Sequence, residues 1–137
     1  MSALNRQNGA VALARHETLR ADAFRALSDL ALEERRFDMV IVDPPSFARR
    51  QADVPAALAA YARLAGLALR VLRPGGMLVF ASCSARVAAD DFFACVEHEA
   101  RRVGRPLREI ERTGHAADHP VGFPEGAYLK CLFAHAP

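Results

Sequence analysis

The segment that most constrains the fold runs from Phe37 to Phe47 and reads Phe-Asp-Met-Val-Ile-Val-Asp-Pro-Pro-Ser-Phe. Its four consecutive apolar residues, Met39 to Val42, favour a strand that is buried on both faces. Pro44–Pro45 cannot continue a hydrogen-bonded ladder, so the backbone leaves the sheet in an extended turn after Asp43. Ligands bind beyond the carboxyl ends of strands in open α/β sheets. The sequence therefore predicts a ligand site at Asp43; the alternative is that Asp43 caps a helix and Phe47 fills the core.

A helix and a second buried strand follow this segment. The helix is predicted from apolar residues at three-then-four spacing, which are Leu58, Tyr61, Ala65, Ala68 and Leu72. It ends at Arg73–Gly76, where proline cannot extend a helix and glycine can take the left-handed conformation. Met77–Ala81 is a second all-apolar strand, followed by Ser82-Cys83-Ser84. The right-handed crossover of such a βαβ unit makes the strands parallel, which predicts Asp43 and Cys83 at the same sheet edge.

The other elements are predicted from periodicity and turn residues. They are the end of a helix over Met1–Asn8, a short strand at Thr18–Arg20 that would place Asp22 at its carboxyl end, helices over Arg25–Arg35 and Ala89–Val103, and strands over Leu107–Arg112 and Tyr128–Ala134. The last two strands, with a polar loop between them, predict an antiparallel hairpin that closes the sheet. The whole is an α/β fold in one domain, since the chain has 137 residues.

Composition restricts the class of protein further. The chain is 52% hydrophobic and 25% charged, which is typical of globular proteins. No apolar run approaches the length of a membrane span and no signal peptide is recognisable, so we expect a cytoplasmic protein without membrane contact. The net charge of +2 is too small to imply a polyanion partner. Lys130 is the only lysine among eighteen basic residues, the others being arginine.

Among the three cysteines, position favours Cys83 as a reactive thiol. Cys83 follows a strand end, whereas Cys95 and Cys131 fall inside a helix and a strand. His115 and His119 could serve as base or ligand, although loop histidines are more often structural. We expect no metal, because no Cys or His pair has the usual zinc spacing. Neither a Gly-x-Gly-x-x-Gly motif nor a Walker phosphate loop is present.

Six motifs together carry a resemblance to one family. They are Ala-Asp-Ala-Phe at 21–24, the 37–47 segment, Leu-Arg-Pro-Gly-Gly at 72–76, Phe-Ala-Ser-Cys-Ser at 80–84, Ala-Asp-His-Pro-Val at 117–121 and Pro-Glu-Gly-Ala-Tyr-Leu-Lys at 124–130. In this combination the chain resembles the catalytic domain of the bacterial 23S ribosomal RNA large subunit methyltransferase I family. These enzymes use S-adenosylmethionine to form 5-methylcytosine.

The resemblance implies a role for each site residue. Cys83 would add to carbon 6 of cytosine and make carbon 5 nucleophilic, while Asp43 would hold ring nitrogen 3. Pro45 and Phe47 would shape the base pocket, with Phe47 offering a face for stacking. The cofactor contacts implied are Asp22, the Ala23 backbone, Asp43 and Pro44. The partner would be ribosomal RNA.

The resemblance also implies a partial domain over residues 1–137. We expect a Rossmann-like class I methyltransferase sheet with an antiparallel last strand, lacking the first two strands and the glycine-rich cofactor loop. An exposed edge of the Met39–Val42 strand would then favour a homodimer. Three functions compete: a cytosine carbon-5 RNA methyltransferase, an amino-methyltransferase in which Asp43-Pro44-Pro45 binds an exocyclic amine and Cys83 is dispensable, and a non-catalytic remnant or interaction module.

Overall fold

The computed structural model describes residues 16–123 and 126–137. Within these residues, three helices and four strands follow one another, with a 3-10 turn at Gln51–Asp53 before the second helix. In chain order they are α1 (Ala23–Leu32), β1 (Phe37–Val42), α2 (Val54–Val71), β2 (Leu72–Ser82), α3 (Ala89–Arg102), β3 (Arg108–Thr113) and β4 (Lys130–His135).

The strands form one mixed sheet in the order β1-β2-β4-β3. β1 and β2 are parallel neighbours, with Val42 beside Phe80. β4 is antiparallel to both β2 and β3. The predicted βαβ unit and the antiparallel ending are therefore confirmed. Gly75 takes a φ of 76° after the helix, as the turn sequence predicts.

Helices α2 and α3 pack against each other and form the core with one face of the sheet. Tyr61 on α2, Phe80 on β2 and Phe92 on α3 are all fully buried. Their rings meet edge to face, with centroid separations of 5.1–6.1 Å. This aromatic cluster anchors the βαβ unit directly beneath the strand ends.

The prediction that β1 is buried on both faces is wrong. Met39 is 50% exposed and Ile41 is 66% exposed, whereas Val42 on the opposite face is 8% exposed. The helices explain the difference, because within the described residues the core covers only the face that carries Val40 and Val42. An all-apolar run fits a strand covered on one side as well as one covered on both, so periodicity could not separate the two cases.

The predicted strand at Thr18–Arg20 is also wrong, since residues 16–20 are exposed and irregular. Asp22 therefore lies at no strand end. It is the N-cap of α1, where its Oδ1 accepts a hydrogen bond from the Arg25 N–H at 3.0 Å. Because Asp22 caps it, α1 begins at Ala23, two residues before the predicted start. The helix predicted over Met1–Asn8 lies outside the described residues.

Strand β2 begins earlier than predicted, at Leu72 instead of Met77. Leu72 pairs with Phe37, and Gly75 donates its N–H to the Ala136 carbonyl at 2.6 Å. Pairing on both sides thus extends the strand through the glycines. The bounds of α3, β3 and β4 agree with the predictions to within two residues, whereas α1 ends at Leu32, three residues before its predicted end at Arg35.

The prediction that no apolar segment approaches the length of a membrane span is wrong for one helix. By length and composition alone, the 21 residues Gln51–Val71 are long and apolar enough to cross a membrane. In this fold α2 is the central core helix, and Tyr61, Leu64 and Leu69 are buried against its neighbours. A core helix covered by others passes the same composition test as a membrane span.

Candidate active site

The site lies where β1 and β2 end side by side. Asp43 directly follows β1, and Cys83 directly follows β2. The Cys83 Sγ is 4.0 Å from the Pro44 carbonyl oxygen. Cys83 is half-buried and Asp43 is exposed. Parallel pairing thus brings a thiol and a carboxylate to one edge, although they are forty residues apart in sequence.

Two buried serines fix the segment that carries Cys83. The Ser82 hydroxyl lies 2.8 Å from the Tyr61 hydroxyl and accepts a hydrogen bond from the Ser84 N–H at 3.3 Å. The Ser84 hydroxyl donates to the Ala48 carbonyl at 3.4 Å. Burial raises the pKa of Tyr61, which keeps its hydroxyl neutral. The strand end is thereby tied both to α2 and to the segment that follows β1.

Lys130, the first residue of β4, also binds the segment that follows Cys83. Its Nζ donates to the carbonyls of Ser84 and Val87, each at 2.6 Å, and to the Tyr128 carbonyl at 3.3 Å. The residue is only 4% exposed. Burial lowers the pKa of Lys130, while the charge of Cys83 opposes that shift. Three carbonyl acceptors account for all three N–H bonds of an ammonium group.

A cleft of about 610 Å³ opens beside Asp43, between α1 and β1. Its lining is mostly apolar and includes all the predicted cofactor and base-pocket residues, which are Asp22, Ala23, Asp43, Pro44, Pro45 and Phe47. Cys83 does not line this cleft and touches it only through Pro44. The cleft and the thiol thus lie on the two sides of the Asp-Pro-Pro turn.

The cleft has the donors and acceptors that an adenine ring needs. Asp22 uses Oδ1 to cap α1, which leaves its other carboxylate oxygen for an exocyclic amino group. The N–H of Ala23 is in the first turn of α1, so no carbonyl of the helix accepts a hydrogen bond from it. Phe24, Leu27 and Leu64 supply apolar surface. The residues present therefore fit the adenine half of S-adenosylmethionine.

The Phe47 ring is half-buried against aromatic neighbours. Its centroid is 5.0 Å from that of Tyr61 and 6.4 Å from that of Phe24. Phe47 therefore contributes to the core and to the cleft at once. Asp43 does not cap the next helix, whose 3-10 start is capped by Arg50 with Asp53. The alternative of a capping Asp43 and a core Phe47 thus holds only in part.

The other two cysteines lie in less reactive surroundings. Burial raises the pKa of Cys95 to about 11, with the nearby carboxylates Asp91 and Glu99 adding to the shift. Burial also raises the pKa of Cys131, and the Asp43 carboxylate contributes. A thiol with a raised pKa carries little thiolate, which is the nucleophilic form. Cys83 differs from both in its position, because it precedes the segment whose Ser84 and Val87 carbonyls bind the Lys130 ammonium.

The loop histidines form a small stack away from Cys83. The His115 and His119 rings lie 5.4 Å apart, and His115 packs edge-on against Tyr128 at 4.7 Å. His115 Nε2 accepts a hydrogen bond from the Leu129 N–H. Across residues 16–123 and 126–137, no cluster of three or more His, Cys, Asp or Glu side chains is placed to hold a metal ion.

Sequence reasoning missed the polar network of Tyr61, Ser82, Ser84 and Lys130. Tyr61 appears in the sequence only as one apolar position of a helix, and the serines only as neighbours of Cys83. The one available signal was Lys130 as the sole lysine of an arginine-rich chain.

Comparisons with known proteins show which proteins this chain is similar to in sequence. No protein-family model matches the chain. The chain is 44% identical over 131 residues to a ribosomal RNA large subunit methyltransferase of Deinococcus radiodurans, covering 96% of this chain and 31% of that protein. It is 41% identical over 116 residues to the ribosomal RNA large subunit methyltransferase I of Shewanella amazonensis, covering 83% and 29%. The chain spans about a third of the length of these relatives.

A solved structure shows the same fold. SMU.776, described as a methyltransferase and solved with SAH, superposes with a TM-score of 0.78 at 20% identity, over 95% of this chain and 34% of its own. The fold is therefore Rossmann-like, of the class I methyltransferase type. Within that fold class, the chain matches the carboxyl-terminal part of the ribosomal RNA large subunit methyltransferase I family.

Proposed function

We propose that this chain forms the catalytic part of an S-adenosylmethionine-dependent methyltransferase that methylates carbon 5 of cytosine in ribosomal RNA. The observation that carries the proposal is the juxtaposition of Cys83 with the Asp43-Pro44 turn, 4.0 Å from thiol sulfur to carbonyl oxygen. Methylation of an exocyclic amine needs the turn but no thiol. A thiol at the strand end, fixed by buried hydrogen bonds, favours the covalent chemistry.

Each predicted site residue has its own role in the proposed methyl transfer. The Cys83 thiolate adds to carbon 6 of the cytosine, which raises electron density at carbon 5. Asp43 holds ring nitrogen 3 and stabilises the adduct, and Pro45 and Phe47 shape the base pocket. Asp22, Ala23, Asp43 and Pro44 hold the cofactor. When bound, S-adenosylmethionine supplies the electrophilic methyl group that carbon 5 accepts. Loss of the carbon 5 proton then allows Cys83 to leave.

RNA that contains 5-fluorocytosine tests this mechanism, because the adduct cannot lose fluorine as it would a proton. The protein to use is a chimera in which this chain replaces the matching segment of the Deinococcus radiodurans relative, which supplies the remaining two-thirds. We expect a band shifted on denaturing gels that requires both Cys83 and S-adenosylmethionine.

The same reaction on ordinary RNA distinguishes the competing functions. Nuclease digestion and mass spectrometry should identify 5-methylcytosine as the product. A methylated exocyclic amine, with no trapped band, would establish the amino-methyltransferase instead. Cofactor binding without any product would favour the non-catalytic module.

A further inference from the structure

We propose that Lys130 is a positioning residue for Cys83: its ammonium group fixes the segment that carries the thiol and places a positive charge on that segment. The inference rests on the proposed function, in which Cys83 is the nucleophile. It assigns a role to a residue outside the Asp-Pro-Pro turn and outside the cofactor cleft.

The first support is geometric. β4 runs antiparallel to β2, and Lys130 pairs with Ser82 at the end of that strand. From there its Nζ reaches the carbonyls of Ser84 and Val87, both at 2.6 Å. These two carbonyls lie on the segment that follows Cys83, so one side chain fixes the path of the backbone on leaving the sheet.

The second support is the type of residue. An isolated buried charge is costly, and a buried lysine is rare unless its ammonium is satisfied. Every other basic residue of this chain is arginine. Arginine donates through a planar fork, whereas an ammonium is a compact charge with three donors. Three carbonyls around one Nζ, from two segments of chain, suit the ammonium.

The third support is electrostatic. Three hydrogen bonds to carbonyl oxygens require the protonated amine, because a neutral amine has only two N–H bonds. A fixed positive charge near a thiol favours the thiolate. Other charged or titratable groups also act here: Tyr61 on α2 faces the Cys83 segment through Ser82, and Asp43 lies beyond β1 on the same edge. Two cations belong to this region: Arg86, which is exposed on the segment itself, and Lys130, which is buried against it.

Alkylation of the cysteines in the 137-residue chain tests the charge directly. Iodoacetate is an anion and iodoacetamide is neutral, so the ratio of their rates at one cysteine reports the local potential, while loosening of the segment changes both rates together. Each rate is read by peptide mass spectrometry at one fixed pH. We expect Lys130→Met to lower the ratio at Cys83 by about three- to tenfold, the effect of one nearby charge in a largely aqueous dielectric.

A second variant and an internal reference keep the test decisive. Lys130→Gln retains amide donors for the carbonyls but removes the charge, and it should lower the ratio as Lys130→Met does. An unchanged alkylation rate at the half-buried Cys95 shows that a variant is folded. In the unmodified chain the ratio at Cys83 should exceed that at Cys131, whose charged neighbour is Asp43. An unchanged ratio in a folded variant, or equal ratios at Cys83 and Cys131, would overturn the proposal.

Methyl transfer by the chimera gives an independent measurement. Lys130→Gln should lower kcat at least tenfold and leave the KM for S-adenosylmethionine within about twofold, since Lys130 does not line the cofactor cleft. A lower kcat accompanied by an unchanged reagent ratio would limit Lys130 to a purely structural role and would refute its charge effect. A chimera that transfers no methyl group would refute the proposed function, while the reagent ratio would still decide the role of Lys130.

Discussion

The thiol of Cys83 differs from the other two in what surrounds it. Cys95 is half-buried next to carboxylates, and its pKa is raised to about 11. Cys83 is half-buried at a strand end, beside the Pro44 carbonyl and the Lys130 ammonium. The raised pKa values of Cys95 and Cys131 disfavour the thiolate at those two positions.

At this scale we predict that Cys83→Ala abolishes methyl transfer in the chimera, by several orders of magnitude, because the activation of carbon 5 is lost. Cys95→Ala and Cys131→Ala should retain most of the activity. The measurement is incorporation of tritiated methyl groups into RNA. Activity of Cys83→Ala above about a tenth of the unmodified level would contradict the covalent mechanism.

At the scale of elements, Arg105 joins the end of α2 to the start of β2 and to the end of the chain. Its guanidinium donates to the carbonyls of Leu69, Leu72 and Arg73, and to that of Pro137 at 2.8 Å. Burial lowers the pKa of Arg105, and the charge of Arg36 adds to the shift. One side chain thus satisfies carbonyls that the helix end leaves without partners.

We therefore expect Arg105→Ala to lower the free energy of unfolding by about 2–4 kcal/mol, since it leaves several partly buried carbonyls unpaired. Urea denaturation followed by circular dichroism measures the change. Arg108→Ala, at an exposed position of β3, is the matched control and should shift stability by no more than about 0.5 kcal/mol. Equal effects of the two substitutions would show that Arg105 does not stabilise this junction.

At the scale of the whole molecule, the cofactor cleft lies at the β1 edge of the described sheet. Asp22 and Asp43 line it, and among the described residues β1 pairs with β2 alone, so its other edge is open. The relatives are about three times as long as this chain. The family resemblance implies that the methionine and ribose contacts come from elements other than the described residues 16–123 and 126–137.

We predict that the 137-residue chain binds S-adenosylmethionine at least several hundredfold more weakly than the chimera does. Two hydrogen-bonded subsites, at about 1.5–3 kcal/mol for each bond to a charged group, account for a loss of this size. Isothermal titration calorimetry on both proteins measures it. Micromolar affinity of the short chain would show that the described cleft suffices.

The open edge and the exposed face of β1 bear on association as well. Met39 and Ile41 are at least half exposed on a strand that has no partner on its second edge within residues 16–123 and 126–137, and unpaired edges tend to pair with another chain. We propose that the short chain self-associates through β1. Light scattering should detect dimers or larger species, and Ile41→Lys should shift them towards monomer. A monomer at all concentrations would contradict this proposal.

The sequence by itself determined the βαβ unit and the shared edge of Asp43 and Cys83. Apolar runs, helical spacing and the Pro-Pro and Gly-Gly turns specify the elements locally. The right-handed crossover then makes the two strands parallel, which brings Asp43 and Cys83 to one edge. Only the tertiary structure decided that β1 is covered on one face, that Asp22 caps α1, and that Lys130 reaches the Cys83 segment. These features depend on which distant segments meet, and neither hydrophobic period nor turn chemistry specifies the partner of a buried polar group.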